Sequence, residues 1–457
     1  MMEAANAYPR YRAARMRWLP PVPEHWNEQR AKTFFREVDE RSKTGQEELL
    51  SVSHLTGVTP RSHKNVTMFK AASYVGSKLC RPGDIVINTL WAWMAALGAS
   101  KHVGIVSPAY GVYRPHKADS FNPAYLDYLL RTRAYVAEYI GRSTGIRSSR
   151  LRLYPNQFLD IALLQPPRPE QDQIVAYLRA QDAHIARFIK AKRDLIGLLN
   201  EQKLRIIDHA VTRGLDTSVA LKPSGIEWLG DVPEHWKTIH IGSAVQIVNG
   251  YPFDSGLFDP EVGHPLVRIR DLMRTDTEVK FNGTEVAEAV IEAGDLLVGM
   301  DGDFNAARWR GGRALLNQRM CCLRPRKEIT TEYLSLVIPK ALKFINDLAL
   351  STTVKHLSSV DVKRLRFPIP DDTEQLQIVE WVATESAPLE EAIQRAEEEI
   401  KLIREYRDRQ ITDVVTGQVD VRGWVPGSDD VVTEEDLSAL GGDEEIDTDG
   451  EENDGDD

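Results

Sequence analysis

The chain has 457 residues, 42% of them hydrophobic and 27% charged, an ordinary globular composition with room for two or three domains. No window approaches the apolar run of about 20 residues that a membrane helix needs, and residues 1–17 lack the apolar core of a signal peptide. The net charge of −11 comes from one end: residues 428–457 hold fifteen acidic side chains and no basic ones, and without them 57 basic residues face 53 acidic, a balance of +4. Residues 421–457 therefore read as an acidic disordered tail, and the body as one able to bind nucleic acid through a local basic surface. Cys80, Cys321 and Cys322 have neither the pairing of a disulfide framework nor the spacing of a zinc site, which points to a cytoplasmic protein.

Residues 1–17 carry four arginines and two tyrosines and read as an N-terminal arm. A first mixed domain follows over 18–168. Within it, 48–58 reads as a strand entering a turn, 83–91 as a buried strand and 104–115 as a strand pair. Residues 121–140 have a helical pattern, with Asn122 as cap and Pro123 at the first helical position. The loop 141–155 gathers Arg142, Arg147, Arg150 and Arg152 beside glycines and serines without an acid, which suits phosphate contacts.

The segment 169–216 reads as one long helix. Its apolar seam runs through Ile174, Leu178, Ile185, Phe188, Leu195, Leu199 and Ile206, a spacing of threes, fours and sevens interrupted by polar residues. Pro169 and Gly214 stand as start and stop signals, and some 40 residues would extend about 60 Å. In the second domain, 217–370, Val267 and Ile269 alternate with Arg268 and Arg270, which predicts a strand with both arginines on one face. Residues 301–318 read as a polar loop bearing Arg308, Arg310 and Arg313, and 331–349 as a helix answering the one at 121–140. The closing helix, 371–420, has a weaker seam of Ile378, Val382, Leu389, Ile403 and Tyr406, with Ala392 and Ala396 between. Pro388 is expected to kink or split it.

An internal duplication ties these pieces together. WLPPVPEHW at 18–26 returns as WLGDVPEHW at 228–236, identical at seven of nine positions. Gly83, Asp84 and Ile85 return as Gly294, Asp295 and Leu296, and Glu170, Gln171, Gln173, Ile174 and Val175 as Glu374, Gln375, Gln377, Ile378 and Val379. At the helix ends, Asp208, Val211, Thr212 and Asp216 answer to Thr412, Val415, Thr416 and Asp420. The order is domain, long helix, domain, long helix, and each helix is the natural cover for the other's apolar stripe. The halves diverge between these shared elements, as one scaffold with two unlike surfaces would.

Catalytic motifs are missing: there is no glycine-rich phosphate loop, HExxH, G-x-S-x-G elbow or deaminase zinc pattern. His25 and His235 sit beside Trp26 and Trp236 and read as packing residues. Asp301 and Asp303 have no partner cluster for a metal. Trp91, Trp93 and Trp309 fit either base stacking or a core.

WLPPVPEHW, WLGDVPEHW, GYPFDSGLF, HLSSVDVKRLRFPIP, EQLQIVEWV and ITDVVTGQVDVR, in this order, resemble the DNA specificity subunit of type I restriction-modification systems, over 8–422. The resemblance implies an α+β fold. Two similar target recognition domains would be separated by two long conserved helices, paired as an antiparallel coiled coil with a pseudo-two-fold axis. It implies recognition of a bipartite, asymmetric DNA sequence, with the helices as a ruler for the unread bases. The partners would be double-stranded DNA, two methyltransferase subunits and two restriction/translocase subunits. The subunit itself would hold no cofactor; S-adenosylmethionine, ATP and Mg belong to those partners.

Charge and loop position nominate Arg61, Lys64, Arg147, Arg150, Arg268, Arg270, Arg308, Arg310, Lys355 and His356 for DNA contact. Two other classes compete. A self-sufficient adenine methyltransferase would need an NPPY- or DPPY-type motif, which does not appear. A protein-interaction scaffold would use the helices for assembly without DNA.

Overall fold

Each repeated motif generates the same local architecture twice. A computed structural model describes residues 7–54, 56–63, 73–145, 151–226, 229–302, 304–326, 329–348, 357–438 and 440. In the first half an antiparallel four-stranded sheet has the order Phe35–Glu37, Gly111–Pro115, Ile85–Ile87, Leu97–Ala99. In the second half the order is Val245–Asn249, Met320–Pro325, Leu296–Gly299, Ala306–Arg308, the same topology some 210 residues on. Asn27–Arg30 pairs with Ala162–Gln165 at the base of the first domain, and Lys237–His240 with Arg366–Ile369 at the base of the second.

The central strands are buried on both faces, so their apolar runs are continuous rather than alternating. The repeated Gly-Asp opens each of them. Gly83 and Gly294 hold φ of 88° and 90°, which glycine adopts without steric cost. Asp84 Oδ2 accepts from the Arg81 amide at 3.0 Å and Asp295 Oδ2 from the Glu292 amide at 2.9 Å.

The chain forms two compact units, one ending at Asp194 and resuming at Ala396, the other Leu195–Arg395. Each unit thus owns one domain and the adjoining half of both long helices, a division that a linear list of segments does not suggest. The first long helix runs Arg168–Arg213 and the second Asp372–Val415. The second is not split at Pro388, although proline removes one amide donor from its ladder. In the first unit the main core gathers Trp26, Tyr125, Leu129 and Phe158 around Ile174 and Leu178 of one long helix and Val414 and Val415 of the other. In the second, Trp236, Tyr333 and Phe367 surround Val211, Ile378 and Val382.

Along the seams Ile174, Leu178, Ile185, Ile378 and Val382 are buried, and Leu199, Ile206, Leu389 and Ile403 are half-buried. Phe188, Leu195 and Tyr406 remain more than a third exposed. Part of the helix burial goes instead to Val175, Ala183, Ala186 and Ile189.

Glycine closes both helices. Gly417 has φ 76°, with its amide bonded to the Val414 carbonyl at 3.1 Å and the Gln418 amide to Asp413 at 2.7 Å, the paired closing bonds of a left-handed cap. A Cβ there would lie 2.3 Å from Pro23 Cδ. Gly417→Ala is therefore expected to lose about 1–2 kcal/mol from the left-handed backbone alone, with the Pro23 clash added. Chemical denaturation of the two proteins measures the difference.

Several local expectations are corrected. Residues 121–140 form two helices, Pro123–Leu130 and Arg133–Arg142, broken where the Thr132 hydroxyl and the Tyr139 hydroxyl take the last carbonyls of the first. The Asn122 cap is present, its side chain accepting from the Ala124 amide at 2.9 Å. The strands at 104–115 pair with other partners rather than with each other. Arg268 and Arg270 do not share a strand face. The strand ends at Val267, and Arg268 caps a 3-10 turn whose Asp271 carboxylate accepts the Arg268 amide at 2.9 Å. The stretch 301–318 is not all loop, since Ala306–Arg308 and Ala314–Leu316 are strands. The tail is not solvated throughout: residues 421–438 lie along the first long helix.

Candidate nucleic-acid interface

The repeated PEHW motif is a clamp on the start of each long helix. In the first unit Glu170 Oε1 accepts from the Tyr8 hydroxyl at 2.6 Å and Trp26 Nε1 at 2.9 Å, while Oε2 lies 2.9 Å from His25 Nε2. In the second, Glu374 Oε2 takes Trp236 Nε1 at 2.9 Å and His235 Nε2 at 2.8 Å. Burial, reinforced by the Glu170 bond and charge, pushes the Tyr8 hydroxyl well above its ordinary pKa. A carboxylate in the first helical turn also suits the positive end of the helix dipole.

The next residue repeats its own pattern. Gln171 accepts the Asn122 amide at 2.7 Å and donates to Pro166 O at 2.8 Å; Gln375 accepts Thr330 N at 3.0 Å and donates to Pro370 O at 3.2 Å. Gly417 abuts Trp26 and Gly214 abuts Trp236, so each clamp grips the start of one long helix and the end of the other. Sequence reasoning found Glu170 and Glu374 as repeated letters but assigned them no role. Their position about one domain's length after each PEHW, 144 residues from Trp26 and 138 from Trp236, was the available signal.

Within the first unit the helices run antiparallel: Tyr177 meets Gln410, Asp182 meets Arg407 and Lys192 meets Glu399. Asp182 is buried and accepts from Arg407 Nε at 2.6 Å, Arg407 Nη2 at 3.1 Å and the Tyr128 hydroxyl at 2.8 Å. Burial alone would lower the Arg407 pKa; the Asp182 bond and charge outweigh it and raise it. In the second unit Lys203 meets Glu390, and Lys340 of the Thr331–Leu348 helix meets Asp208.

The basic residues nominated for DNA contact fall in several places. Lys64, Arg147, Arg150, Lys355 and His356 lie outside the described residues. Arg61 is half-buried in a 3-10 turn after the Leu50–Ser53/Gly57–Pro60 hairpin. Arg268, Arg270 and Arg274 converge on Glu278 at 3.0, 3.5 and 2.6 Å. The Thr275 carbonyl of that loop lies close to Gly311, and Arg310 is exposed. Arg308 points elsewhere, 3.0 Å from Glu332. Of the ten, the structure thus brings together Arg268 and Arg270, both on Glu278. Trp309 is core, with Nε1 donating to Gly312 O at 2.7 Å, whereas Trp91 and Trp93 are half-buried and stack on each other at 5.7 Å.

The three cysteines are buried and unbridged, and burial pushes each thiol up to about 12, leaving it protonated at neutral pH. Asp301 is taken by Arg319 at 2.8 Å, and Asp303 lies outside the described residues. No acidic, histidine or cysteine group among the described residues is arranged to hold a metal ion. Nor is any helix among them long and apolar enough to cross a membrane.

Residues 233–401 match the family model for the type I restriction modification DNA specificity domain. The chain is 33% identical over 205 residues to the type I restriction enzyme EcoBI specificity subunit of Escherichia coli, covering 44% of this chain and 43% of that one. It is 22% identical over 190 residues to the EcoDI specificity subunit of Escherichia coli, covering 42% of this chain and 40% of that one. The chain thus spans less than half the length of either relative. A solved structure, described as the structural basis underlying complex assembly and conformational transition of the type I R-M system, is 17% identical. It covers 87% of this chain and 99% of its own with a TM-score of 0.53, a likeness of fold.

Proposed function

We propose that this protein is the non-catalytic DNA-recognition subunit of a type I restriction-modification complex. The observation that carries the reading is the match of 233–401 to a DNA specificity domain, together with the same sheet order and the same clamp in the first half of the chain. Each domain, 18–168 and 217–370, reads one part of a bipartite, asymmetric site, and the paired helices set the gap between the parts. Two similar domains in one chain suit the two-fold backbone symmetry of duplex DNA. Adenine-N6 methylation and cleavage belong to the methyltransferase and restriction/translocase partners, which bring S-adenosylmethionine, ATP and Mg.

The basic groups divide by role. Arg310, which is exposed, is assigned by charge to phosphates or base edges, together with Arg61, Lys64, Arg147, Arg150, Lys355 and His356. Arg268, Arg270 and Arg308 reach DNA by exchanging their carboxylate partners for it. Purified with its methyltransferase partner, the chain should direct adenine methylation to one split sequence, mapped by sequencing methylated genomic DNA. Methylation at an unsplit sequence, or none, rejects the reading. In the same assay Arg310→Ala separates the two kinds of contact. Loss of a phosphate contact lowers the salt slope of binding by about 1 for every sequence, whereas loss of a base contact relaxes one position of the site.

A further inference from the structure

The acidic tail begins as a strap on the first long helix. His184, Arg187 and Lys190 recur every three residues and so share one helix face. His184 Nε2 lies 2.7 Å from Asp430 Oδ1. Arg187 donates through Nη1 to Val431 O at 3.0 Å and Asp436 Oδ2 at 3.2 Å, and through Nη2 to Asp429 O at 2.9 Å. Lys190 Nζ meets Glu435 Oε1 at 3.2 Å. Upstream, Trp424 packs edge-on against Tyr177 at 5.5 Å, and Gln173 bonds to its carbonyl.

Beyond Trp424 the attachment is electrostatic. Val425 is 78% exposed and Val431 62%, so little apolar burial holds the strap. The Lys190–Glu435 pair is exposed, and the Asp430 and Asp436 carboxylates are partly covered but face basic groups that reach solvent. Pairs at the surface contribute little each and weaken with salt. The strap is therefore displaceable by a denser anion. A fork that gathers carboxylate and carbonyl oxygens, flanked by an ammonium and an imidazole, has the donor set that phosphodiester oxygens take.

We propose that residues 428–438 form an intramolecular polyanion occupying a phosphate-binding stripe, His184–Arg187–Lys190, from which the backbone of duplex DNA displaces it. The inference rests on the DNA-recognition reading above and adds a control to it. The strap competes with any duplex, but only a specific site supplies the base contacts that offset the competition. Its effect is to suppress binding to random sequence. The ten further acidic residues of 443–457 strengthen the tail's negative field in the same direction.

The test uses the full chain in complex with its methyltransferase partner. Asp430→Asn, Glu435→Gln and Asp436→Asn together unfasten the strap and keep the rest of the tail. Random-sequence duplex binding by fluorescence anisotropy over a salt series is the readout, with amide exchange of 428–438 as the measure of release. The released strap should exchange faster and the affinity for random duplex at low salt should rise about tenfold, with a salt slope steeper by about 2. Adding Arg187→Glu and Lys190→Glu should abolish the gain. A gain that survives those reversals is a bulk-charge effect and overturns the proposal, as does faster exchange with no gain while site-directed methylation is intact. Loss of split-site methylation in the unmodified complex rejects the underlying reading instead.

Discussion

Asp182→Ala is expected to destabilise the first unit by roughly 3–5 kcal/mol, the penalty for removing one partner of a buried ion pair. Its carboxylate takes two nitrogens of Arg407 and the Tyr128 hydroxyl, joining both long helices and the Pro123–Leu130 helix of the domain at one point. Without it the half-buried Arg407 guanidinium loses the carboxylate that takes two of its nitrogens. Asp182→Asn keeps an accepting oxygen for one donor and should cost less. Replacing both Asp182 and Arg407 by leucine is the informative control, because well-packed apolar substitutes for a buried pair are often neutral in stability. If the pair instead fixes helix register, as buried polar pairs do in coiled coils, the double variant would fold with near-normal stability. Its methylation would then spread over sites of unequal gap. Denaturation midpoints measure the first effect and methylation mapping the second.

Among the described residues this lock occurs once. The positions that answer to Asp182 and Arg407 at the 204-residue offset are Ser386 and Lys203. Ser386 is buried and its hydroxyl has no hydrogen-bond partner among the described residues, while Lys203 is paired with Glu390 on the surface. The duplication that made the architecture readable therefore says nothing of the lock. Its signal would have been an acid among apolar positions of one helix and a base in the other, which is also what two solvated faces look like before their register is known.

The scaffold was legible because its elements carry redundant marks. PEHW, Gly-Asp and Glu-Gln each occur twice at nearly one offset, and each pair shares equivalent hydrogen bonds. The intervening loops carry no such redundancy. Arg268 and Arg270 alternated with apolar residues as a strand would, yet Asp271 bends the chain into a 3-10 turn by capturing the Arg268 amide. One buried carboxylate outweighed the period-two pattern there, because a charge taken out of water must be bonded. The tail was misjudged for a related reason: composition measures what a segment cannot bury, not what a complementary helix face can bind. Lys64, Arg147, Arg150, Lys355 and His356 carry only the signal of their charge, which no repeated motif fixes in place.

Glu170→Ala should loosen the first unit more than Glu374→Ala loosens the second. Glu170 serves two buried donors, the Tyr8 hydroxyl and Trp26 Nε1, in addition to His25. Glu374 serves one buried donor, Trp236 Nε1, and the exposed His235. Each buried donor stranded without a partner costs about 1–3 kcal/mol, so the Glu170 variant is expected to lose roughly twice as much as the Glu374 variant. Glu170→Gln retains an accepting oxygen for the two buried donors and should recover much of the loss. Denaturant unfolding gives the ranking, and amide exchange locates it, at 8–26 and the start of the first long helix for Glu170 and at 229–240 for Glu374. Equal losses at the two glutamates would show that the Tyr8 bond adds nothing. If Glu170→Gln failed as badly as alanine, the carboxylate's charge at the helix start, rather than its hydrogen bonds, would be what holds the domain to the helix.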